Sequence, residues 1–189
     1  MPGQPFDTWK LREAARCFHR GGLIAYPTEA VYGLGCDPLD SAAVERLLRL
    51  KDRPVAKGLI LIAADFAQLL PFVRQLPPDL MQPVFDSWPG PNTWLLPARK
   101  DTPAWLTGCH DSLAVRVTAH PIAGALCRAC RSPLVSTSAN RSNHPPARSA
   151  LSVRLAMGTA VDCILSGPLG VSKRPTSIRD ARSGHHIRE

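Results

Sequence analysis

Several patterns are missing from this 189-residue chain, and each absence removes a class of function. No run of about 18 apolar residues occurs, so no stretch reads as a membrane-spanning helix. GxxxxGK followed by Ser or Thr is absent, so there is no P-loop to cradle phosphates. Gly33-Leu34-Gly35 lacks the third glycine of a dinucleotide-binding GxGxxG turn. Neither a GxSxG elbow nor an HExxH zinc helix is present. The start, MPGQPFDTWKLREAARC, lacks the basic-then-apolar order of an export signal, and the expectation is a cytoplasmic protein. Lysine is scarce: 5 of the 23 basic residues, against 18 arginines. Such an arginine bias reflects genome base composition as readily as function, which weakens any direct step from charge to nucleic acid.

What is present suits one compact domain. Hydrophobic residues make up 44% and charged residues 20%, too apolar for a disordered chain. A domain of this length hides roughly 70% of its unfolded surface. The formal charge of +8 favours anionic partners such as nucleotides, RNA or phosphate-bearing substrates. The 19 prolines are scattered, so they punctuate elements and do not form a linker. The six cysteines read as free thiols, because a chain this long with no export signal is no disulfide scaffold. Cys127-x-x-Cys130 has no second pair, and a structural zinc needs four ligands, so it reads as two residues on one helix face.

Short apolar runs alternate with helical stretches. Asp7 or Thr8 caps a helix to about Arg20, with Leu11, Ala14, Ala15 and Phe18 on one face. Ser41 is expected to cap a second helix, Asp65 to start a third, and Asp79–Trp88 to hold one broken by Pro83. Pro121 opens a helix to Arg131, with His120 as its cap. Residues 22–26, 59–62, 93–96, 113–117, 134–136 and 161–165 read as strands. Strands alternating with helices indicate an α/β protein with a mixed or parallel sheet, and no linker divides residues 1–189.

Four polar clusters follow these elements, and each has an ordinary explanation beside a chemical one. Tyr26-Pro27-Thr28-Glu29-Ala30-Val31-Tyr32-Gly33-Leu34-Gly35 reads as a loop with exposed amides, or as a turn capped by Thr28. Lys51, Arg53 and Lys57 fall within seven residues at a helix end. Cations there are favoured by the helix dipole alone, and the same three make a phosphate clamp. Arg116 interrupts the apolar strand Ser112-Leu113-Ala114-Val115-Arg116-Val117, where it either faces solvent or lines a cleft suited to a carboxylate. Ser136-Thr137-Ser138-Ala139-Asn140 follows a strand end, the usual place for ligands in open α/β sheets, or is a capped turn.

Taken together, YPTEAVYGLGCDP, Lys51-x-Arg53-Pro54-x-x-Lys57-Gly58, WPGP, SLAVRV before HP, PLVSTSAN and the late PTSIRD resemble the YrdC-like domain family over residues 20–182. The short chain resembles its short bacterial branch. The resemblance implies a single-domain open, twisted, mixed sheet flanked by helices, with a basic concave cleft. It implies an enzyme joining L-threonine, bicarbonate or CO2, and ATP into L-threonylcarbamoyl-AMP and pyrophosphate. The product serves threonylcarbamoyladenosine synthesis at position 37 of tRNA.

By the family pattern, Thr28, Arg116, Ser136 and Thr176 contact L-threonine. Lys51, Arg53, Lys57, Ser112, Ser138 and Asn140 contact ATP, with Lys51 and Arg53 carrying the chemistry. Mg2+ is expected with the ATP and no metal held by the protein itself. tRNA and a downstream threonylcarbamoyl-transfer machinery are the expected partners, and no membrane. No general base is evident.

Two departures stand out. Arg141-Ser142-Asn143-His144 replaces the family's usual Ser-Gly after Asn140, where Asn143 is the residue best able to stand in for a left-handed glycine. Lys173-Arg174 adds a basic pair before the last motif. The competing readings are a non-catalytic tRNA-binding, structured-RNA-binding or ribosome-maturation protein of the same fold, and a paralogue that adenylates a different carbamate. A pure RNA binder needs no amino-acid pocket at Thr28 and Arg116.

Overall fold

The structure, a computed structural model, describes residues 7–142, 144–172 and 176–188. Six α-helices and nine strands are found among them: α1 (Thr8–His19), β1 (Ile24–Pro27), β2 (Tyr32–Gly35), α2 (Ser41–Leu50), β3 (Ile60–Ala63), α3 (Pro78–Asp86), β4 (Asn92–Pro97), α4 (Ala104–Thr107), β5 (Ser112–Val117), α5 (Pro121–Cys130), β6 (Leu134–Ser138), α6 (Ala150–Met157), β7 (Cys163–Ile164), β8 (Ser177–Asp180) and β9 (His186–Arg188).

The strands form one mixed sheet in the order β7-β1-β2-β6-β3-β5-β4-β8-β9. β3 runs parallel to β5, β4 to β8 and β1 to β7, and the other neighbours are antiparallel. Side chains alternate between the faces of a strand, and that alternation builds two cores. Leu61, Leu113, Val115, Val117 and Val135 join Ala43, Val44 and Leu47 of α2 and Met81 and Val84 of α3 in the larger core. Ile24, Tyr26, Ile62 and Leu134 pack against Ala14, Ala15 and Phe18 of α1 and Ile122, Ala123, Leu126 and Cys127 of α5.

The expected helix from Asp65 does not form. Residues 65–72 are bends and turns; Asp65 accepts a hydrogen bond from the Gln68 amide at 3.1 Å, as a helix N-cap does, but no helix follows. Pro83 lies inside an unbroken α3. Its side is exposed, so water reaches the carbonyl that its missing N–H leaves unpaired. Asp40, not Ser41, caps α2 by accepting from the Ala43 amide at 3.0 Å. The strand expected over 161–165 shrinks to Cys163–Ile164. β2 forms within the expected glycine loop, and α6, β8 and β9 were not foreseen. His120 does cap α5, accepting from the Ala123 amide. All six cysteines are free, and Cys127 and Cys130 are buried on α5. Asn143, Lys173 and Arg174 lie outside the described residues.

Candidate active site

α1 and α5 cover only part of their face of the sheet. On that face Ile62 pairs with Leu134 and Arg116, and Ile60 pairs with Ser136 and Ala114. Beyond the helices the same rows continue as Ser112, Ala114 and Arg116 on β5 and Ser136 and Ser138 on β6, each two residues apart. These side chains floor an open cleft of about 440 Å³, within the range that small-molecule sites occupy. Thr28, Arg53, Lys57, Ser112, Arg116, Ser136, Ser138 and Thr176 all line it, although they come from five separate segments of the chain. Lys51 and Asn140 do not line it.

Lys51 ends α2 and is buried. Its ammonium donates to the carbonyl oxygens of Ser138 (2.7 Å) and Asn140 (2.6 Å) and to Asn140 Oδ1 (2.6 Å). Ser138 Oγ also donates to Asn140 Oδ1, at 2.6 Å. All three protons of Lys51 are therefore committed to the Ser138–Asn140 turn, and the lysine fixes the loop that presents Ser138 to the cleft. Burial, then the nearby Arg53, pushes Lys51 down to about 8, while the three acceptors favour the ammonium.

Arg53 is folded back by two hydrogen bonds, Nε and Nη2 to the Gly58 carbonyl at 3.2 and 2.9 Å. Gly58 has a φ of +63°, and a Cβ there would sit 2.9 Å from the Thr107 carbonyl oxygen. Only glycine fits that turn without strain. Lys57 ends the short 3-10 turn Val55–Lys57 and is exposed at the rim.

A further cation was passed over by the sequence reading. Arg188 on β9 lines the cleft and donates to the Thr176 carbonyl at 3.0 Å. Burial, then Arg188, holds Arg53 below the ordinary arginine value, and burial, then Arg116, does the same to Arg188. These three guanidinium groups face one space and repel one another there, a field suited to polyanions. The tail His185-His186-Ile187-Arg188 carries no strand signature of its own, so nothing local marked Arg188.

Arg116 is only 6% exposed. Its counter-ion is Glu29, itself buried, with Arg116 Nη2 3.5 Å from Glu29 Oε2. That separation is long for a charge-assisted hydrogen bond. Among the described residues the Arg116 guanidinium donates no hydrogen bond, and its Nε is buried without a partner. A buried guanidinium with uncommitted donors is costly unless a ligand completes it, and a carboxylate is the shape that a planar fork accepts. Nearby, Ser136 Oγ accepts from the buried Tyr26 hydroxyl at 2.9 Å, and Thr28 Oγ1 donates to the Val31 carbonyl at 2.7 Å. Thr176 Oγ1 lies 3.4 Å from Thr93 Oγ1.

Residues 16–189 match the family model Sua5_yciO_yrdC, described as telomere recombination. The chain belongs to the Sua5/YciO/YrdC family. Curated Sua5/YciO/YrdC relatives include the threonylcarbamoyl-AMP synthase of Alkalilimnicola ehrlichii, 56% identical over all of both chains. That of Nitrosococcus oceani is 54% identical over 95% of this chain and 97% of its own. Among solved structures, Pyrococcus abyssi Sua5 complexed with L-threonine superposes with a TM-score of 0.86 at 36% identity, over 92% of this chain. This chain spans about half of that longer Sua5, 51%. YciO of E. coli matches with a TM-score of 0.82 at 28% identity, over 97% of this chain and 90% of its own.

Proposed function

We propose that this protein is a threonylcarbamoyl-AMP synthase, which joins L-threonine, bicarbonate or CO2, and ATP into L-threonylcarbamoyl-AMP and pyrophosphate for tRNA modification. The observation that carries the reading is Arg116: a buried guanidinium at the cleft floor that donates no hydrogen bond among the described residues, beside two further arginines and a lysine. High identity to curated synthases along the full chain supports it.

In this reading Arg116 takes the threonine carboxylate as a bidentate pair. Thr28, Ser136 and Thr176 surround the amino acid. The threonine amine adds to CO2 and loses a proton, giving a carbamate. A carbamate oxygen then attacks the α-phosphorus of ATP, and pyrophosphate leaves. Both reactants are anions, so their approach is unfavourable unless cations offset it. Arg53, Lys57 and Arg188 supply that charge at the rim, and Ser112 and Ser138 hydrogen-bond the nucleotide. Lys51 and Asn140 act one layer back by holding the Ser138 turn. Catalysis is positioning and charge stabilisation. Mg2+ enters as part of the nucleotide substrate. We take residues 1–189 as one domain, supported by the single continuous sheet. The site of action is the cytoplasm, where the product passes to the machinery that modifies tRNA.

The purified protein is expected to release pyrophosphate from ATP only when L-threonine and bicarbonate are both present. Equal release with L-serine, or without an amino acid, overturns the substrate assignment.

A further inference from the structure

Glu29 lies outside the cleft lining, yet three segments meet on it. Thr118 Oγ1, just beyond β5, donates to Glu29 Oε1 at 2.6 Å, and the Ala119 amide donates to the same oxygen at 3.2 Å. Thr118 Oγ1 in turn accepts from the His120 amide at 3.1 Å. On the other side, the Ser172 amide donates to the Glu29 carbonyl and the Gly170 amide to the Thr28 carbonyl, each at 3.0 Å. A Cβ on Gly170 would sit 2.8 Å from Glu29 Cα, so this segment closes tightly over the glutamate. The remaining oxygen, Oε2, has no hydrogen-bond donor among the described residues and lies 3.5 Å from Arg116 Nη2.

Two of these features separate a positioning role from a packing role. Glu29 is the sole acidic group paired with Arg116 among the described residues, and both are buried. It also leaves Arg116 uncommitted, since the contact is an ion pair and no hydrogen bond forms. An uncompensated buried guanidinium would turn toward water or toward another carbonyl. A carboxylate set at hydrogen-bonding distance would saturate it instead.

We propose that Glu29 is a positioning residue for the amino-acid substrate: a buried anion, anchored by Thr118 and Ala119, that holds Arg116 on the cleft floor with its donors free for the threonine carboxylate. Burial raises the Glu29 carboxyl, but Arg116 and the Thr118 hydroxyl outweigh it and hold the group below its usual value, so the anion persists at neutral pH. A group this acidic is a poor proton acceptor for the threonine amine, which argues against a general-base role.

The inference rests on Arg116 as the carboxylate site, and the experiment separates the two. Binding of L-threonine and of ATP is measured by calorimetry for the wild type, Arg116→Ala, Glu29→Gln and Glu29→Asp, with melting curves for each. Glu29→Gln keeps the size of the side chain and removes its charge. It is expected to weaken L-threonine binding at least tenfold while ATP binding changes less than twofold. Glu29→Asp is expected to recover part of the loss. If Glu29→Gln folds and binds L-threonine within twofold of wild type while Arg116→Ala does not, the Glu29 role is wrong and the carboxylate site stands. If Arg116→Ala also binds L-threonine normally, the carboxylate site falls, and the Glu29 role with it. Should Glu29→Gln fail to fold, Thr118→Val serves: it removes the shorter of the two hydrogen bonds to Oε1 and leaves the Ala119 amide and the charge. A severalfold loss of L-threonine affinity is then expected, and unchanged affinity overturns the proposal.

Discussion

Lys51 shows how little a residue's type reveals about its task. A lysine beside Arg53 at a helix end reads as a phosphate ligand, yet its three protons all go to the Ser138–Asn140 turn. Its burial has a measurable consequence. Burial pushes it down to about 8 in the folded protein, against an ordinary value of 10.5. Between those values the unfolded chain binds more protons, so this group makes stability rise with pH. Melting curves of the wild type and Lys51→Gln between pH 7 and 10 are expected to show the wild type gaining on the variant as pH passes 8. A constant difference across that range would mean that Lys51 titrates at its ordinary value. Arg116 carries the opposite lesson. A cation in an apolar strand was visible in the sequence, but its open donors and its partner Glu29 were not, because Glu29 is 87 residues away along the chain, so only the fold brings the two together.

At the scale of elements, the cleft exists because α1 and α5 stop short. Leu134 and Ile62 lie beneath those helices, and Ser136 and Ile60, two residues along the same strands, lie beyond them. In the sequence the switch shows only as a run of hydroxyl residues at the end of the strand expected over 134–136. The connection after α2 is where one backbone position decides geometry. Gly58 combines a positive φ of +63° with an extended ψ of 175°, a backbone region open essentially to glycine alone, and offers its carbonyl to Arg53. Gly58→Ala adds about 1–3 kcal/mol of backbone strain and a contact with the Thr107 carbonyl. The expected outcome is a melting temperature lowered by a few degrees and a KM for ATP raised with little change in that for L-threonine. Equal effects on both substrates would argue that the turn supports the whole cleft and not the Arg53 side alone.

Across the whole molecule, the charge of +8 divides between the cleft and the outer surface. Arg53, Lys57, Arg116 and Arg188 serve the cleft. Arg16, Arg46, Arg49, Arg99 and Arg182 sit in exposed ion pairs, which contribute little to stability. The cationic surface left over suits an RNA by charge alone. If it binds tRNA, the affinity is expected to fall steeply between about 50 mM and 200 mM salt, because phosphate contacts release counterions. Filter binding across that range checks this, and an affinity independent of salt would remove the electrostatic surface from consideration.

The sequence by itself determined the chemistry and most of the layers. Capping residues, apolar period and proline placement located α1, α2 and α5 and the central strands, since those signals act within a few residues of one another. Arg116 was legible as a cation inside an apolar strand, Arg53 and Lys57 as cations at a helix end, Thr28, Ser136 and Ser138 as polar residues after strands, and Ser112 and Thr176 through the family resemblance. Tertiary structure alone decided which of them share a cleft, that Lys51 and Asn140 stand behind it, and that Glu29 and Arg188 belong to its surroundings. The last strands β8 and β9 are short, and β9 is exposed, so pairing of β8 with β4 and of β9 with β8 stabilises them and local propensity does not. Where a side chain's protons go depends on partners tens of residues distant, and only packing brings those partners within hydrogen-bond reach.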